Sequence, residues 1–269
     1  MRTTFLFRAT TEALLAGCLC LLGLAAVAFG QSASDELNAG VQAYKSAHYE
    51  AAIHHFQKAI ELNPDLARAR LYLAVAYAGQ YIPGADSTDN AAMGERAIAE
   101  YDFLLQHNQL PEEQLTILRG LASLNFNMKR FDTASGYYKQ IIERNPDDGE
   151  AYYSLGVIAW MDAYLPDQKL RSEMGLNPTG ELPPGTGCAQ LRAANQDKVA
   201  EGIGNLQKAL EIRPDYDDAM AYMNLLYRQK AEYECDDPAA RDADLKTADE
   251  WVDKTMQTKQ KRAEHATAP

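Results

Sequence analysis

One pattern returns along this chain and sets tight limits on its fold. It runs Tyr49-Glu50-Ala51-Ala52-Ile53-His54-His55-Phe56-Gln57-Lys58-Ala59-Ile60-Glu61-Leu62-Asn63-Pro64, comes back from Phe131 to Pro146, and again from Glu201 to Pro214. In each copy a small residue (Ala52, Ala134, Gly202) precedes a large one (Phe56, Tyr138, Leu206), and a further apolar residue follows (Ala59, Ile141, Ala209). The spacing places these residues on one stripe of an α-helix. Each stretch closes at a proline after Asn or Arg. Proline supplies no amide hydrogen and disfavours helical geometry in the residue before it, so the helix must stop there.

A second helix lies upstream of each copy: Leu37 to Tyr44, Leu118 to Phe126, and Tyr152 to Val157. Gly40, Ala122 and Gly156 form notches in these helices, and Ala52 and Ala134 form notches in their partners. Small residues facing large ones at fixed offsets let two antiparallel helices interlock. Such a hairpin cannot hide its apolar stripe alone, so neighbours must stack on it.

These residues resemble the tetratricopeptide repeat, a helix-turn-helix unit of about 34 residues. The copy at 33–66 matches the family at Gly40, Tyr44, Tyr49, Ala52, Phe56, Ala59 and Pro64, and the copy at 115–148 is also full-length. Glu36 departs from it, standing where the family favours a large apolar residue, which suits an exposed first helix. The resemblance implies an all-α fold, a right-handed solenoid of about five helical hairpins within residues 31–258. The repeats fall at 33–66, 67–110, 115–148, 149–216 and 217–256. Repeats 2, 4 and 5 carry enlarged internal turns: Tyr81 to Ser87, an insertion over 163–194, and a break at Cys235-Asp236-Asp237-Pro238. The large insertion contains Leu182-Pro183-Pro184-Gly185-Thr186-Gly187 and is expected to be an expanded turn with a short helix near Asp167–Met174. Its charged residues Asp167, Lys169, Arg171 and Glu173 look like a charged helix face. Residues 259–269 are expected to form a flexible tail. All the insertions fall between the first and second helix of a repeat, so they should elaborate one rim of the array.

The first thirty residues read as an export address. Arg2 and Arg8 precede an uncharged run over 13–29, and Ala28-Phe29-Gly30 offers small residues for cleavage after Gly30. That is the layout of a secretory signal peptide, and it implies an exported protein, periplasmic or held in the cell envelope. Two alternatives are an uncleaved anchor and a lipoprotein box at Leu15-Ala16-Gly17-Cys18. After cleavage no membrane span is expected. Cys18 and Cys20 leave with the signal, so the mature chain keeps Cys188 and Cys235. Two cysteines in an exported protein are expected to pair. They fall in inserted turns of adjacent repeats, which a solenoid stacks side by side, so we expect a Cys188–Cys235 disulfide, with two free thiols as the alternative.

The formal charge of −12 excludes a general phosphate-backbone binder, and no nucleic acid is expected as partner. No catalytic motif is present: no G-x-S-x-G, no P-loop, no dinucleotide glycine motif. His48, His54, His55, His107 and His265 lack metal-ligand spacing and read as solvated helix or tail residues. The acids Asp147-Asp148, Asp215–Asp218 and Asp236-Asp237 stand at helix starts, where carboxylates cap the helix. Hence no metal, cofactor or catalytic residue is expected. In the family the first helices line a groove, and its aromatic and arginine slots here are Tyr44, Tyr72, Arg119, Phe126, Tyr153, Trp160, Tyr222 and Arg228. Tyr, Trp and Arg are the usual anchors of binding partners. The Lys and Asn set by which one branch of the family grips acidic tails is replaced by Leu37, Val41, Tyr72, Thr116 and Gly120. The expected function is a non-catalytic envelope scaffold that binds a peptide or protein segment. The alternatives are a membrane-tethered assembly lipoprotein and an enzyme with its site in the inserted turns.

Overall fold

The computed structural model describes residues 32–107, 110–178 and 182–267. The expected signal peptide, its cleavage point and Cys18 lie outside the described residues. Within them the chain forms ten α-helices and no strand. The helices pair in serial order: α1 (Ala33–Lys45) with α2 (Tyr49–Leu62), α3 (Ala67–Gln80) with α4 (Thr88–Gln106), and α5 (Gln114–Asn127) with α6 (Phe131–Arg144). Then α7 (Gly149–Glu173) pairs with α8 (Thr186–Ile212), and α9 (Asp217–Glu232) with α10 (Pro238–Thr267). Each helix packs on its neighbours in sequence, and the first helices of adjacent repeats also touch, α1 with α3, α3 with α5 and α7 with α9. This is the expected all-α solenoid of five hairpins.

Local chemistry sets the boundaries. Ser32 caps α1 through a reciprocal pair of bonds with Asp35, each 3.1 Å. The residues before Pro64, Pro146 and Pro214 all leave the helix in extended geometry: Asn63 (φ −146°), Asn145 (φ −135°) and Arg213 (φ −130°). After each proline the same turn forms, closed by the amides of Leu66, Asp148 and Tyr216 on the carbonyls of Asn63, Asn145 and Arg213, at 3.1 Å in all three. Inside the hairpins of repeats 1 and 3 the chain reverses within three residues, Ser46–His48 and Met128–Arg130, around left-handed Ala47 (φ 58°) and Lys129 (φ 61°). The notches work sterically. A Cβ at Gly40 would stand 2.5 Å from Phe56, and one at Gly156 2.5 Å from Leu206.

The longer turn of repeat 2 is held by Asn90. Its amide group bonds the backbone of Ile82 in both directions, at 2.7 and 2.9 Å, and reaches the Ala85 carbonyl at 3.0 Å.

Repeat 4 departs from expectation. The insertion is not mainly a turn: α7 and α8 are each roughly three turns longer than their counterparts in repeat 3. The segment read as a short helix near Asp167–Met174 is the far end of α7, which runs straight through Pro166. Burial outweighs the proline. Ala163, Asp167 and Arg171 recur at one-turn spacing on the face toward α8 and are almost fully buried. Asn195 of α8, itself fully buried, donates to the Ala163 carbonyl beside the proline at 2.8 Å. The helix then ends at Gly175 (φ 68°), the same left-handed device as in repeats 1 and 3.

Three smaller expectations also change. Residues 259–267 are not a flexible tail but the last turns of α10, with Lys259 and Arg262 paired to Asp217 at the start of α9. Glu36 is not exposed: it is closed off from solvent and paired with Lys58 at 2.5 Å and His55 at 2.6 Å. His55 is therefore a hydrogen-bond partner of Glu36 and not simply a solvated residue. Its place in α2 opposite α1, set by the hairpin, is what turns it toward Glu36.

Candidate functional site

The helices α7 and α9 are the first helices of repeats 4 and 5, and they touch. On α7, Tyr153, Trp160 and Tyr164 fall seven and four positions apart, so helical geometry stacks them along one face. From α9, Tyr222 inserts among them. The ring centroids form a continuous run: Tyr164 to Trp160 at 5.1 Å, Trp160 to Tyr222 at 5.6 Å, Tyr222 to Tyr153 at 5.7 Å, and Tyr153 to Tyr216 at 4.8 Å. These are the separations at which aromatic pairs attract. Tyr153, Trp160 and Tyr222 are half-buried against the C-terminal core, and Tyr164 is exposed.

Carboxylates lie close to the phenols of this face. Burial pushes the Tyr222 phenol up, and the Asp218 carboxylate adds to this. Burial does the same for Tyr153, helped by Tyr222, Asp218 and Glu150. Tyr216 rises by burial and by donating to Glu150 at 2.7 Å. All three phenols stay protonated at neutral pH and can donate hydrogen bonds beside carboxylates.

The structure thus brings Tyr153, Trp160 and Tyr222 together and disperses the other expected groove residues. Tyr44 packs edge-on against Tyr49 at 5.4 Å, and Phe126 against Phe131 at 5.7 Å, both within their own hairpins. Tyr72 lies exposed over Phe56, with ring centroids 5.7 Å apart. Arg119 is held by Asp148 at 2.5 Å, where Asp148 also caps α7 by accepting from Ala151 at 3.0 Å. Arg228 is bound to Asp249 of α10 at 2.6 Å. Arg119 thus ties α5 to the start of α7, and Arg228 ties α9 to α10. Tyr164 and Tyr216 escaped the sequence reading. Tyr164 is one turn past Trp160, and its signal was the same stripe, hidden once the helix was expected to end at 163.

Behind this face the elongated hairpin is tied to repeat 5. Cys188 at the start of α8 and Cys235 beyond α9 form a disulfide, with Cα atoms 6.2 Å apart. Beside it Arg192 donates to the Tyr233 carbonyl at 2.8 and 3.0 Å and to Asp236 at 3.0 Å. Asp236 lies close to both sulfurs, but their mutual bond leaves no thiolate for a metal. Deeper in, Arg171 bonds Asp167 at 3.0 Å and Glu232 of α9. Burial raises Glu232 against the pull of Arg171. The charged residues of the insertion are therefore divided between core and solvent. Asp167 and Arg171 turn inward, because Ala163 and Leu191 continue the core there, while Lys169 and Glu173 stay in water. The inward pair is saturated by mutual bonds and acts as a structural tie.

No helix among the described residues is long and apolar enough to cross a membrane. Comparison with known proteins agrees with the architecture. The family description "TPR repeat" matches residues 40–80, and "Tetratricopeptide repeat" matches 119–162. No curated protein sequence matches the chain. Among solved structures, MamA superposes with a TM-score of 0.58 at 16% identity, covering 89% of this chain and 98% of that one. MamA from Desulfovibrio magneticus RS-1 gives 0.57 at 16% identity over 86% and 97%. YrrB, described as a TPR protein with an unusual peptide-binding site, gives 0.55 at 16% identity over 85% and 87%. Likeness at this identity speaks for the fold. Repeat signatures found independently at two places, on hairpins stacked in serial order, show that this chain carries tetratricopeptide repeats, an architecture that supports a protein–protein interaction scaffold.

Proposed function

We propose that this protein is a non-catalytic scaffold of the bacterial cell envelope that holds a peptide or protein segment on the aromatic face of α7 and α9. One observation carries the reading: five rings from two adjacent repeats form a single run, and four of them are open to solvent in part. Rigid aromatic side chains give large contact area for little lost entropy, which is why Tyr and Trp dominate binding hot spots. The neighbour YrrB, of the same fold, is described as having a peptide-binding site. Export is supported by the layout of residues 1–30, and a disulfide suits an oxidising compartment.

The test is capture from envelope extract by wild type and by Tyr153→Ala plus Trp160→Ala, with helicity and melting recorded for both. Hot-spot truncations cost about 2 kcal/mol each, so bound partners should fall by at least tenfold at equal helicity. Equal recovery of the same proteins by a folded double variant rejects the groove. The N-terminus of the mature protein checks the address: Gln31 supports cleavage, and a lipidated Cys18 supports tethering instead.

A further inference from the structure

Several other rings of this molecule, the buried Tyr216 at the end of the same run and the half-buried Trp251 and Phe103, are covered by the chain's own cations. Arg213 lies 3.8 Å over Tyr216, Lys254 lies 4.0 Å over Trp251, and Arg70 lies 4.2 Å over Phe103. The rings of Tyr153, Trp160, Tyr164 and Tyr222 differ: among the described residues no lysine or arginine sits over any of them. A ring face is a site of negative potential that attracts a cation, best of all on Trp.

The neighbouring charges point the same way. Asp217 and Asp218 are adjacent at the start of α9, yet they fare differently. Asp217 is buried and paired with Arg262 and Lys259. Asp218 is exposed, makes no ion pair or hydrogen bond among the described residues, and lies close enough to Tyr153 and Tyr222 to act on both phenols. The nearby cations are already engaged: Arg213 is shared by Tyr216 and Glu150, and Arg228 is bound to Asp249. An acidic segment laid on this face would meet an unneutralised carboxylate, in a chain whose formal charge is −12.

We infer that the occupant of the α7–α9 face is a cationic segment of a partner protein, whose lysine or arginine side chains lie on the rings of Tyr153, Trp160 and Tyr222 and whose charge is met by Asp218. The inference rests on the reading that this face binds a chain segment, and it adds the chemical class of that segment. Rings supply the contact area, and the carboxylate selects the sign of the charge.

The probes are three capped nine-residue peptides alternating glycine with arginine, with citrulline, or with glutamate, titrated by calorimetry into the full oxidised chain. Citrulline keeps the shape and hydrogen-bonding planes of arginine without its charge. The arginine peptide should bind saturably, the citrulline peptide about fivefold or more weakly, and the glutamate peptide not at all. Trp160→Ala plus Tyr222→Ala keeps every charge and should lower arginine-peptide affinity about tenfold. Asp218→Asn, at an exposed position in the first turn of α9, should weaken binding and flatten its salt dependence at unchanged helicity. Equal affinity of the arginine and citrulline peptides overturns the inference. So does undiminished binding by the ring variant, which would mean mere attraction to an acidic chain. The two readings fail separately. If envelope partners are lost with Tyr153 and Trp160 but the arginine peptide neither binds nor displaces them, the face stands and the cationic class falls.

Discussion

Repeats 1 and 4 solve the same packing problem by different means. Repeat 1 reverses in three residues between helices of 13 and 14 residues, and is held by Phe56 in the notch of Gly40. Repeat 4 keeps the same notch, Gly156 against Leu206, but carries helices of 25 and 27 residues. Its extra length projects past the repeat stack and has no counterpart in repeat 3 to pack on. It is secured to repeat 5 by a disulfide, the Arg192 contacts and the buried Asp167–Arg171–Glu232 cluster. Regular repeats thus combine shape with a few ion pairs such as Glu36–Lys58, whereas the enlarged one adds a covalent tie. The candidate binding face sits on the enlarged pair.

The sharpest way to break this contrast is to remove the covalent tie. The disulfide closes a loop of 47 residues, worth about 4 kcal/mol in the chain-entropy account. In Cys188→Ser plus Cys235→Ser, amide exchange should accelerate at the far end of α7, the start of α8 and the end of α9, and stay unchanged in α1 to α6. Equal acceleration throughout would mean one cooperative unit and end the distinction.

Acid should act on the two regions in opposite directions. Glu36 is held below the usual glutamate range by Lys58 and His55, so its pairing stabilises repeat 1 above the ordinary value near 4.5 and is lost as pH falls through the lowered one. Glu232 is raised above that value by burial, so its ionisation costs stability at neutral pH, and the cost lifts as pH falls through its raised pKa toward 4.5. Exchange measured on stepwise acidification should first slow around Glu232 and only later, below 4.5, quicken in α1 and α2. The same direction of change in both regions would refute the assignment.

The smallest effect belongs to the turns. Ala47 and Lys129 hold left-handed backbone that disfavours a Cβ by about 1 kcal/mol. Ala47→Gly and Lys129→Gly should each raise stability by up to about 1 kcal/mol, less the added freedom of the unfolded chain. Gly175→Ala in repeat 4 should cost about the same. Chemical denaturation of the single variants measures all three.

Much of the array was legible because its rules are local. Pro64 and the turn signals from Tyr81 to Ser87 bracket the first helix of repeat 2, and the structure has it at Ala67–Gln80. The small-against-large offsets at Gly40 and Gly156 state packing partners directly. Repeat 4 was misread for a reason equally local. Pro166 and the run Pro183-Pro184-Gly185 are turn signals, and only α8 lying alongside shows that burying Ala163 and Arg171 outweighs a missing amide hydrogen. The site was half-legible for the same cause. Slots on a first helix identify Tyr153 and Trp160, but whether a slot faces a groove or its own hairpin depends on the neighbour, as Phe126 on Phe131 and Arg119 on Asp148 show.

The sequence by itself determined the number, order and pairing of the hairpins, because a period of small, large and proline residues leaves the backbone few choices. Tertiary structure decided which aromatic side chains meet across repeats, which charges go inside, and where the enlarged hairpin is tied. Those outcomes depend on distances between residues remote in the chain, and burial sets their energies only after the helices have stacked.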